Sequence, residues 1–168
     1  TASVTTSSAC REERLHLSGM LQGDRYTMYV SAGSGSQHSF GNQIWVKQSL
    51  VPAVGSVEVV SERIMALNLA IVVQGRRKKM RIFCVHAPHQ GITDPEVHND
   101  FYESLRRSIA AVPRGWLFLI PGDLNSRLSA AWSPGVGPFS HDEDNDGGAR
   151  LRELATTYEL VLNSMFPA

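Results

Sequence analysis

The chain has 168 residues and a mass of 18.5 kDa, which suits one ordinary domain with a real core. Hydrophobic residues make up 42% and charged residues 19%, which excludes a disordered or fibrous chain. Sixteen basic residues balance sixteen acidic ones, two cysteines are too few for a disulfide scaffold, and no apolar run reaches membrane-spanning length.

Short strand patterns dominate the first half of the chain. The β-branched and aromatic runs 26–31 and 42–47 predict strands on either side of a Gly/Ser-rich loop. The run 62–73 alternates apolar positions before it becomes wholly apolar, which predicts a strand that is half buried at its first end and fully buried at its apolar end. The run 80–88 follows a basic turn, so the two runs together predict a hairpin.

Helical patterns enter in the second half. Asp94 precedes Pro95 at the start of residues 94–112, and this pair is typical of a helix cap and a first helical position. A buried strand at 116–121 follows this helix. The pattern then predicts a second helix near 147–159 and a last strand-like segment at 160–166. No linker divides the chain. We therefore expect a single α/β domain over residues 1–168, with helices that cover sheet faces.

The stretch "IPGDLNS" carries the first candidate site residues, Asp123 and Asn125. On an extended chain their spacing directs both side chains to the same side. A carboxylate takes a proton from water or holds a hard cation, and a carboxamide donates to an anionic oxygen without adding negative charge. Together these groups suit the attack of water on a phosphodiester. The alternative is a local Asx turn that satisfies its own backbone.

Two further segments supply candidate polar groups. Glu12 and Glu13 lie between two arginines, where carboxylates usually form a solvated surface of self-paired charges. His86 ends the strand in "CVHAPHQG", where an imidazole serves either as a packing residue or as a donor to a phosphate oxygen.

Taken in order, these segments resemble the endonuclease/exonuclease/phosphatase family, and above all the abasic-site-endonuclease-like domains of non-LTR retrotransposons. Five parts of the chain carry the resemblance. Four of them are Gly122-Asp123-Leu124-Asn125 for the family's GDxN, Arg11 to Leu15 for its QET-Arg-Leu, His86-Ala87-Pro88 for its Tyr-x-Pro, and the helix-strand segment 147–166. "SERIMALNL" at 61–69 resembles the strand before the Tyr-x-Pro strand, which typically begins with an arginine.

The resemblance implies a Mg²⁺-dependent (or Mn²⁺-dependent) phosphodiester hydrolase that acts on DNA. Glu12 and Asp123 would be the metal-binding acids, and Asp123 would also orient or deprotonate the attacking water. Asn125 would bind the phosphate and hold Asp123, and His86 would take the place of a phosphate-positioning tyrosine. The implied partners are DNA and a fused reverse transcriptase, with no membrane, in an intracellular location that includes the nucleus.

The implied fold is a four-layer αββα sandwich of the DNase I-like type, incomplete at both ends. The chain begins with Thr1, nothing before residue 10 matches the family's first strand, and no Ser-Asp-His segment occurs. We therefore expect a piece of a longer protein. Two other functions stay open: a phosphoesterase of the same superfamily that acts on an RNA tail or on inositol or lipid phosphates, and a catalytically dead remnant that binds metal or nucleic acid.

Residues 142–153 fit a calcium-loop template, with Asp142, Asp144, Asp146 and Glu153 at ligand positions and Gly147 at the turn. Two prolines and two glycines in 133–141 leave no entering helix, and carboxylates are also favourable at the start of the helix that follows.

The basic segment "GRRKKMR" at 75–81 is interpreted as a solvated hairpin tip that blunts aggregation. If the protein is a nuclease, the same segment would contact the DNA backbone without sequence choice.

Overall fold

The computed structural model describes residues 4–7 (backbone), 19–31, 41–92, 94–129, 135–137 and 143–163. The chain divides into two compact units. The first contains Thr1–His86 and Arg107–Asp123, and the second contains Ala87–Arg106 and Leu124–Ala168.

The first unit opens with a four-stranded antiparallel sheet in the order β1-β4-β3-β2. Its strands are β1 (Val4–Ser7), β2 (Gly19–Gln22), β3 (Tyr26–Val30) and β4 (Gln43–Lys47), followed by a 3-10 helix at Gln48–Ala53. β3 and β4 confirm the two strands that were predicted from the aromatic and β-branched runs.

The second sheet of this unit has the order β5-β6-β7-β8, and β9 also pairs with β7. Its strands are β5 (Val54–Ser61), β6 (Ile64–Val73), β7 (Arg76–His86), β8 (Leu117–Leu119) and β9 (Gly122–Asp123). β5, β6 and β7 are antiparallel neighbours, whereas β8 and β9 run parallel to β7.

The predicted hairpin of β6 and β7 is confirmed, but its turn lies elsewhere. The turn residues are Gln74 and Gly75, with φ of 49° and 73°. Two consecutive positive φ values suit the tight two-residue hairpin turns whose twist matches that of the strands. The interpretation of the basic segment as the tip is therefore wrong. Arg76 to Lys79 lie within β7 and pair with β6.

One buried hydrophobic cluster contains side chains from both sheets. Tyr29, Ile44 and Val46 come from the first sheet. Met65, Leu67, Leu69, Ile82 and Cys84 come from the second. Alternate residues of a strand point to one face, and this alternation places Met65, Leu67 and Leu69 of β6 in the same cluster. The prediction that the wholly apolar end of β6 is fully buried is wrong, because Val72 and Val73 are 68% and 41% exposed.

Residues 116–121 were expected to form a buried strand, and this is wrong for two of its side chains. Leu117 and Leu119 in β8 are 45% and 51% exposed. Phe118, between them, points to the opposite face and packs edge-on against Phe83, with ring centroids 6.5 Å apart. β8 is the last strand on its side of the sheet order, and an edge position covers fewer side chains than a central one.

The helices of the described residues match their predicted positions. α1 (Pro95–Ala110) begins where Asp94 accepts a hydrogen bond from the Glu96 amide at 2.9 Å. α2 (Asp146–Thr157) begins at Asn145, whose side chain accepts from the Gly148 amide at 2.7 Å. Neither helix is long and apolar enough to span a membrane.

α2 belongs to the second unit and buries one face. Leu151, Leu154 and Ala155 are all buried. The strand expected at 160–166 is absent from its described part, residues 160–163. There the Leu160 amide donates to the Ala155 carbonyl at 2.9 Å, and the Leu162 amide donates to the Gly135 carbonyl at 2.8 Å. The fold class is therefore mixed α/β, and the four-layer sandwich stays a prediction.

Candidate functional site

The first unit brings two predicted site residues together. His86 ends β7 and is the register partner of Asp123 in the parallel strand β9. Neighbouring strands lie about 4.8 Å apart, and register partners in a parallel pair face the same side of the sheet. His86 is half-buried and Asp123 is exposed. An imidazole and a carboxylate, 37 positions apart in the sequence by numbering, thus leave adjacent strand ends side by side.

Gly122 allows β9 to lie this close to β7. Its φ is +147°, and a Cβ atom built on it would lie 1.9 Å from the carbonyl oxygen of Val85. The Val85 amide donates to the carbonyl of Pro121 at 3.1 Å. Every other residue type would collide with the β7 backbone, so the Pro-Gly pair delivers Asp123 to its place beside His86.

On its other side, the end of β7 contacts a residue that the site prediction did not include. The His86 amide donates to the carbonyl of Arg63 at 3.0 Å. Arg63 is only 7% exposed, and burial lowers the pKa of its guanidinium, an effect that Glu62 at 3.7 Å opposes. The signal in the sequence was an arginine directly before the apolar run of β6. Arginines are rarely buried, so a buried one at such a position is a candidate for a role in the site.

Asn125 is held within the second unit. Its side-chain amide donates to the carbonyl of Ala87 at 2.7 Å, across 38 positions. This contact goes beyond the local Asx turn of the alternative interpretation. The assumption of an extended chain through Asp123 and Asn125 is wrong, because Asn125 has φ of 46°, in the left-handed region that asparagine tolerates better than most residues.

The segment after Asn125 is anchored by residues that the sequence did not single out. The side-chain amide of Gln90 donates to the Asn125 carbonyl at 3.3 Å. The Tyr102 hydroxyl lies 3.1 Å from the Ser126 hydroxyl and donates to the Gly147 carbonyl at 3.0 Å. Burial raises the pKa of Tyr102, so it stays a neutral donor. These contacts fix the loop that begins with the predicted carboxamide.

Asp123 and Glu12 were predicted to bind a metal ion. Glu12 lies outside the described residues. Among the described residues, no group of three His, Cys, Asp or Glu side chains is placed to hold a metal ion. Mg²⁺ takes oxygen ligands and is usually held by one or two carboxylates plus substrate phosphates. Asp123 supplies one exposed carboxylate, which is an oxygen ligand of the type that Mg²⁺ takes.

The calcium-loop template is not matched by its described part. Asp144 forms two hydrogen bonds with the guanidinium of Arg152, at 2.9 and 3.0 Å, and accepts a third from the Ser129 amide. Arg152 is the first cause of the lowered pKa of Asp144. Glu153 lies 3.4 Å from Arg106. α2 already begins at Asp146, so the later template positions are helical. Asp142 lies outside the described residues.

No family model matches the chain. A search among characterised proteins finds similarity to craniofacial development protein 2 of Bos taurus, with 26% identity over 150 residues. The similarity covers 88% of this chain and 24% of that protein, so the chain spans only a part of its relative. Craniofacial development protein 2 has an endonuclease/exonuclease/phosphatase domain, and the relationship is distant and at family level.

Proposed function

We propose that this chain is part of a Mg²⁺-dependent phosphodiester hydrolase of the endonuclease/exonuclease/phosphatase family, with the four-layer fold of that family and DNA as its substrate. The observation that carries the proposal is the pairing of His86 with Asp123 at adjacent strand ends. The similarity over 88% of the chain to a protein with such a domain supports it independently.

Each described residue has a role that its contacts allow. Asp123 is exposed, so its carboxylate is accessible to water, which it orients and deprotonates. His86 donates to a non-bridging oxygen of the phosphate, where negative charge develops. Asn125 positions the loop after Asp123 through its bond to Ala87 and is the second phosphate donor of the proposal.

Asp123 and Glu12 are the residues that would hold the metal ion. Bound Mg²⁺ or Mn²⁺ supplies positive charge that stabilises the phosphate and its leaving oxygen. The part of Glu12 in this proposal rests on sequence order and on the resemblance of residues 11–15 to the family motif.

DNA is the proposed substrate because the motif order is most similar to that of retroelement endonucleases, and a fused reverse transcriptase in an intracellular setting is the matching context. Hydrolysis of an RNA tail or of a lipid or inositol phosphate is the alternative within the same chemistry. A non-catalytic remnant is a second candidate, which the replacement of the family's tyrosine by His86 and of its glutamine by Arg11 favours.

Nicking of supercoiled plasmid tests the proposal. The longest natural protein that contains this chain is incubated with plasmid in Mg²⁺, and relaxed circles are counted with time. Asp123→Ala removes the proposed base and metal ligand, so we expect the rate to fall by about 10² to 10⁴-fold. Asp100→Ala removes an exposed carboxylate from α1 and serves as the matched control.

The outcomes separate the hypotheses. A loss that is specific to Asp123→Ala and to EDTA supports the hydrolase. Equal rates for the two variants would contradict the assigned role of Asp123. No nicking by the unsubstituted protein, with no release of nucleotides from RNA and no release of phosphate from lipid or inositol substrates, would favour the remnant.

A further inference from the structure

The β6–β7 hairpin extends past its neighbours as a two-stranded ribbon. The pairing of β5 with β6 ends at Leu69, and β8 pairs with β7 only at Met80 to Ile82. Residues 70–73 of β6 and 76–79 of β7 continue as four register pairs. In the described part of the chain, no third strand flanks these pairs. We call these eight residues the basic ribbon.

Positive charge on the basic ribbon is not balanced across the ladder. Arg76, Arg77, Lys78 and Lys79 are all exposed, and their register partners are Val73, Val72, Ile71 and Ala70. No ion pair joins these four cations to a carboxylate of the described residues. Adjacent like charges repel one another, so the ribbon carries a cost in stability.

The next cation along β7 has a different environment. Arg81 forms an ion pair with Glu58 at 2.5 Å and a hydrogen bond with Asn68 at 3.3 Å. Arg81 is thus neutralised within the sheet, and the uncompensated charge begins only where the third strand ends. In a chain with sixteen basic and sixteen acidic residues, this is a local patch of one sign.

The base of the ribbon is held in place. The ammonium group of Lys79 lies 5.2 Å from the ring centroid of Trp116, which is a cation–π distance. Ile71 packs against the buried cluster of the two sheets. The cations beyond this point are therefore displayed on a supported β-ribbon, and binding to them needs little further ordering of the backbone.

We propose that the basic ribbon binds the sugar–phosphate backbone of duplex nucleic acid. A two-stranded β-ribbon fits the major groove of B-DNA, which is about 12 Å wide. Side chains alternate between the faces of β7, so Arg76 and Lys78 point to one side and Arg77 and Lys79 to the other. This arrangement directs cations towards both walls of a groove, where phosphates line the edges. Contacts of this kind supply affinity but no sequence choice.

The proposed surface is separate from the candidate catalytic residues. Arg76 to Lys79 and His86 belong to the same strand, seven to ten residues apart. At about 3.3 Å per residue the separation is roughly 23 to 33 Å. This exceeds the screening length of about 8 Å at physiological salt. The inference therefore goes beyond the proposed hydrolase, and it holds for a remnant as well as for an enzyme.

A salt titration of binding tests the inference. The longest natural protein that contains this chain is titrated into a short fluorescent DNA duplex in EDTA, and the dissociation constant is measured at several salt concentrations. The test variant carries Arg76→Gln, Arg77→Gln and Lys78→Gln, and keeps Lys79 on Trp116. The control carries the same three-charge change elsewhere on exposed residues, as Arg25→Gln, Lys47→Gln and Arg114→Gln.

Each phosphate contact that is lost lowers the slope of log K against log salt by about 0.9. We expect the test variant to lose roughly two to three units of slope and to bind at least about tenfold more weakly at low salt, relative to the control. Equal slopes and affinities for the two variants would overturn the inference. The test variant should unfold at the same temperature as the unsubstituted protein or at a higher one, because the substitutions remove like charges that repel one another.

Two further arms identify other partners. Vesicles with phosphatidylserine are tested beside the duplex. Charge-dependent binding to the vesicles with none to DNA would overturn the nucleic-acid proposal in favour of an anionic membrane. Plasmid nicking is measured in parallel. If the unsubstituted protein binds the duplex but does not nick plasmid, the result counts against the proposed hydrolase alone. If it nicks plasmid but the test variant binds the duplex as the control variant does, the result counts against the ribbon alone.

Discussion

The two ends of the β6–β7 hairpin share one ladder of ten register pairs but have opposite environments. Near the His86 end, Leu67 and Phe83 are fully buried. Near the turn, Val72 is 68% exposed and faces Arg77 across the ladder. Backbone pairing fixes the geometry of both ends equally. Burial decides whether a side chain stabilises the fold or is available to a partner.

The difference also separates two kinds of chemistry. At the buried end, the strand stops and presents His86 beside Asp123 on a support of fully buried residues. At the exposed end, the strands continue beyond the sheet and carry four cations. Precise placement of a few groups suits catalysis, whereas a charged and sequence-independent surface suits backbone binding. Three tests of this contrast follow, from the largest expected effect to the smallest.

The strongest test concerns the buried end. His86→Ala removes a proposed donor to the phosphate, and the loss of one such donor typically lowers kcat by about 10² to 10³-fold. His86→Tyr introduces the tyrosine of the family that the sequence resembles, so we expect it to recover most of the activity. Plasmid nicking rates in Mg²⁺ measure both variants.

Binding of the same variants to duplex DNA in EDTA is the control, and it should be unchanged because the basic ribbon is intact. If His86→Ala and His86→Tyr had equal nicking rates, the donor role of this position would be wrong. If both variants lost their salt-dependent binding to DNA, the two ends of the hairpin would not act independently.

A second test compares two apolar residues of β6. Leu67 is fully buried in the cluster of the two sheets, so Leu67→Ala should lower the free energy of unfolding by about 3 kcal/mol. Val72 is largely exposed, and Val72→Ala should change it by less than about 0.5 kcal/mol. Urea titrations measure both. Equal losses of unfolding free energy for the two variants would mean that Val72 is as well covered as Leu67. The contrast between a buried and an exposed end of the hairpin would then be wrong.

The smallest effect concerns a charge that, unlike those of the ribbon, is paired. Arg152 lowers the pKa of Asp144, and such a carboxylate stabilises the fold when it is ionised. The stabilisation is fully present above the unfolded pKa of about 4 and is lost as the pH falls towards the folded pKa. Asp144→Asn should therefore cost about 1 kcal/mol at neutral pH, and less as the pH falls below about 4.

Thermal unfolding across this pH range measures the effect. Glu143→Gln changes the neighbouring, exposed carboxylate and is the matched control. A cost for Asp144→Asn that stayed constant down to strongly acidic pH would show that packing, and not ionic pairing, accounts for it.

Much of the fold follows from local patterns in the sequence. Alternation of apolar residues predicted β6, and the Asp-Pro pair predicted the start of α1, because both depend on neighbours a few positions away. The turn was misplaced because the run of basic residues was taken as a loop signal. Gln74 and Gly75 adopt the positive φ values of a tight turn, and the cations pair as a strand.

The candidate site was less predictable because it depends on tertiary contacts. The sequence identified His86 and Asp123, and the structure pairs them. It did not reveal that Asn125 leaves the extended conformation and contacts Ala87, or that Arg63 is buried beside the end of β7. Such contacts join distant segments, and no periodicity along the chain encodes them.

The thiol of Cys84 is completely buried in the cluster that joins the two sheets, and burial raises its pKa to about 11. Thiol reagents attack the thiolate, so the folded protein should resist alkylation at this position until the core opens. In a Cys10→Ser background, the rate at which iodoacetamide modifies Cys84 would thus report how often the β-sheet core opens, without an added reporter group.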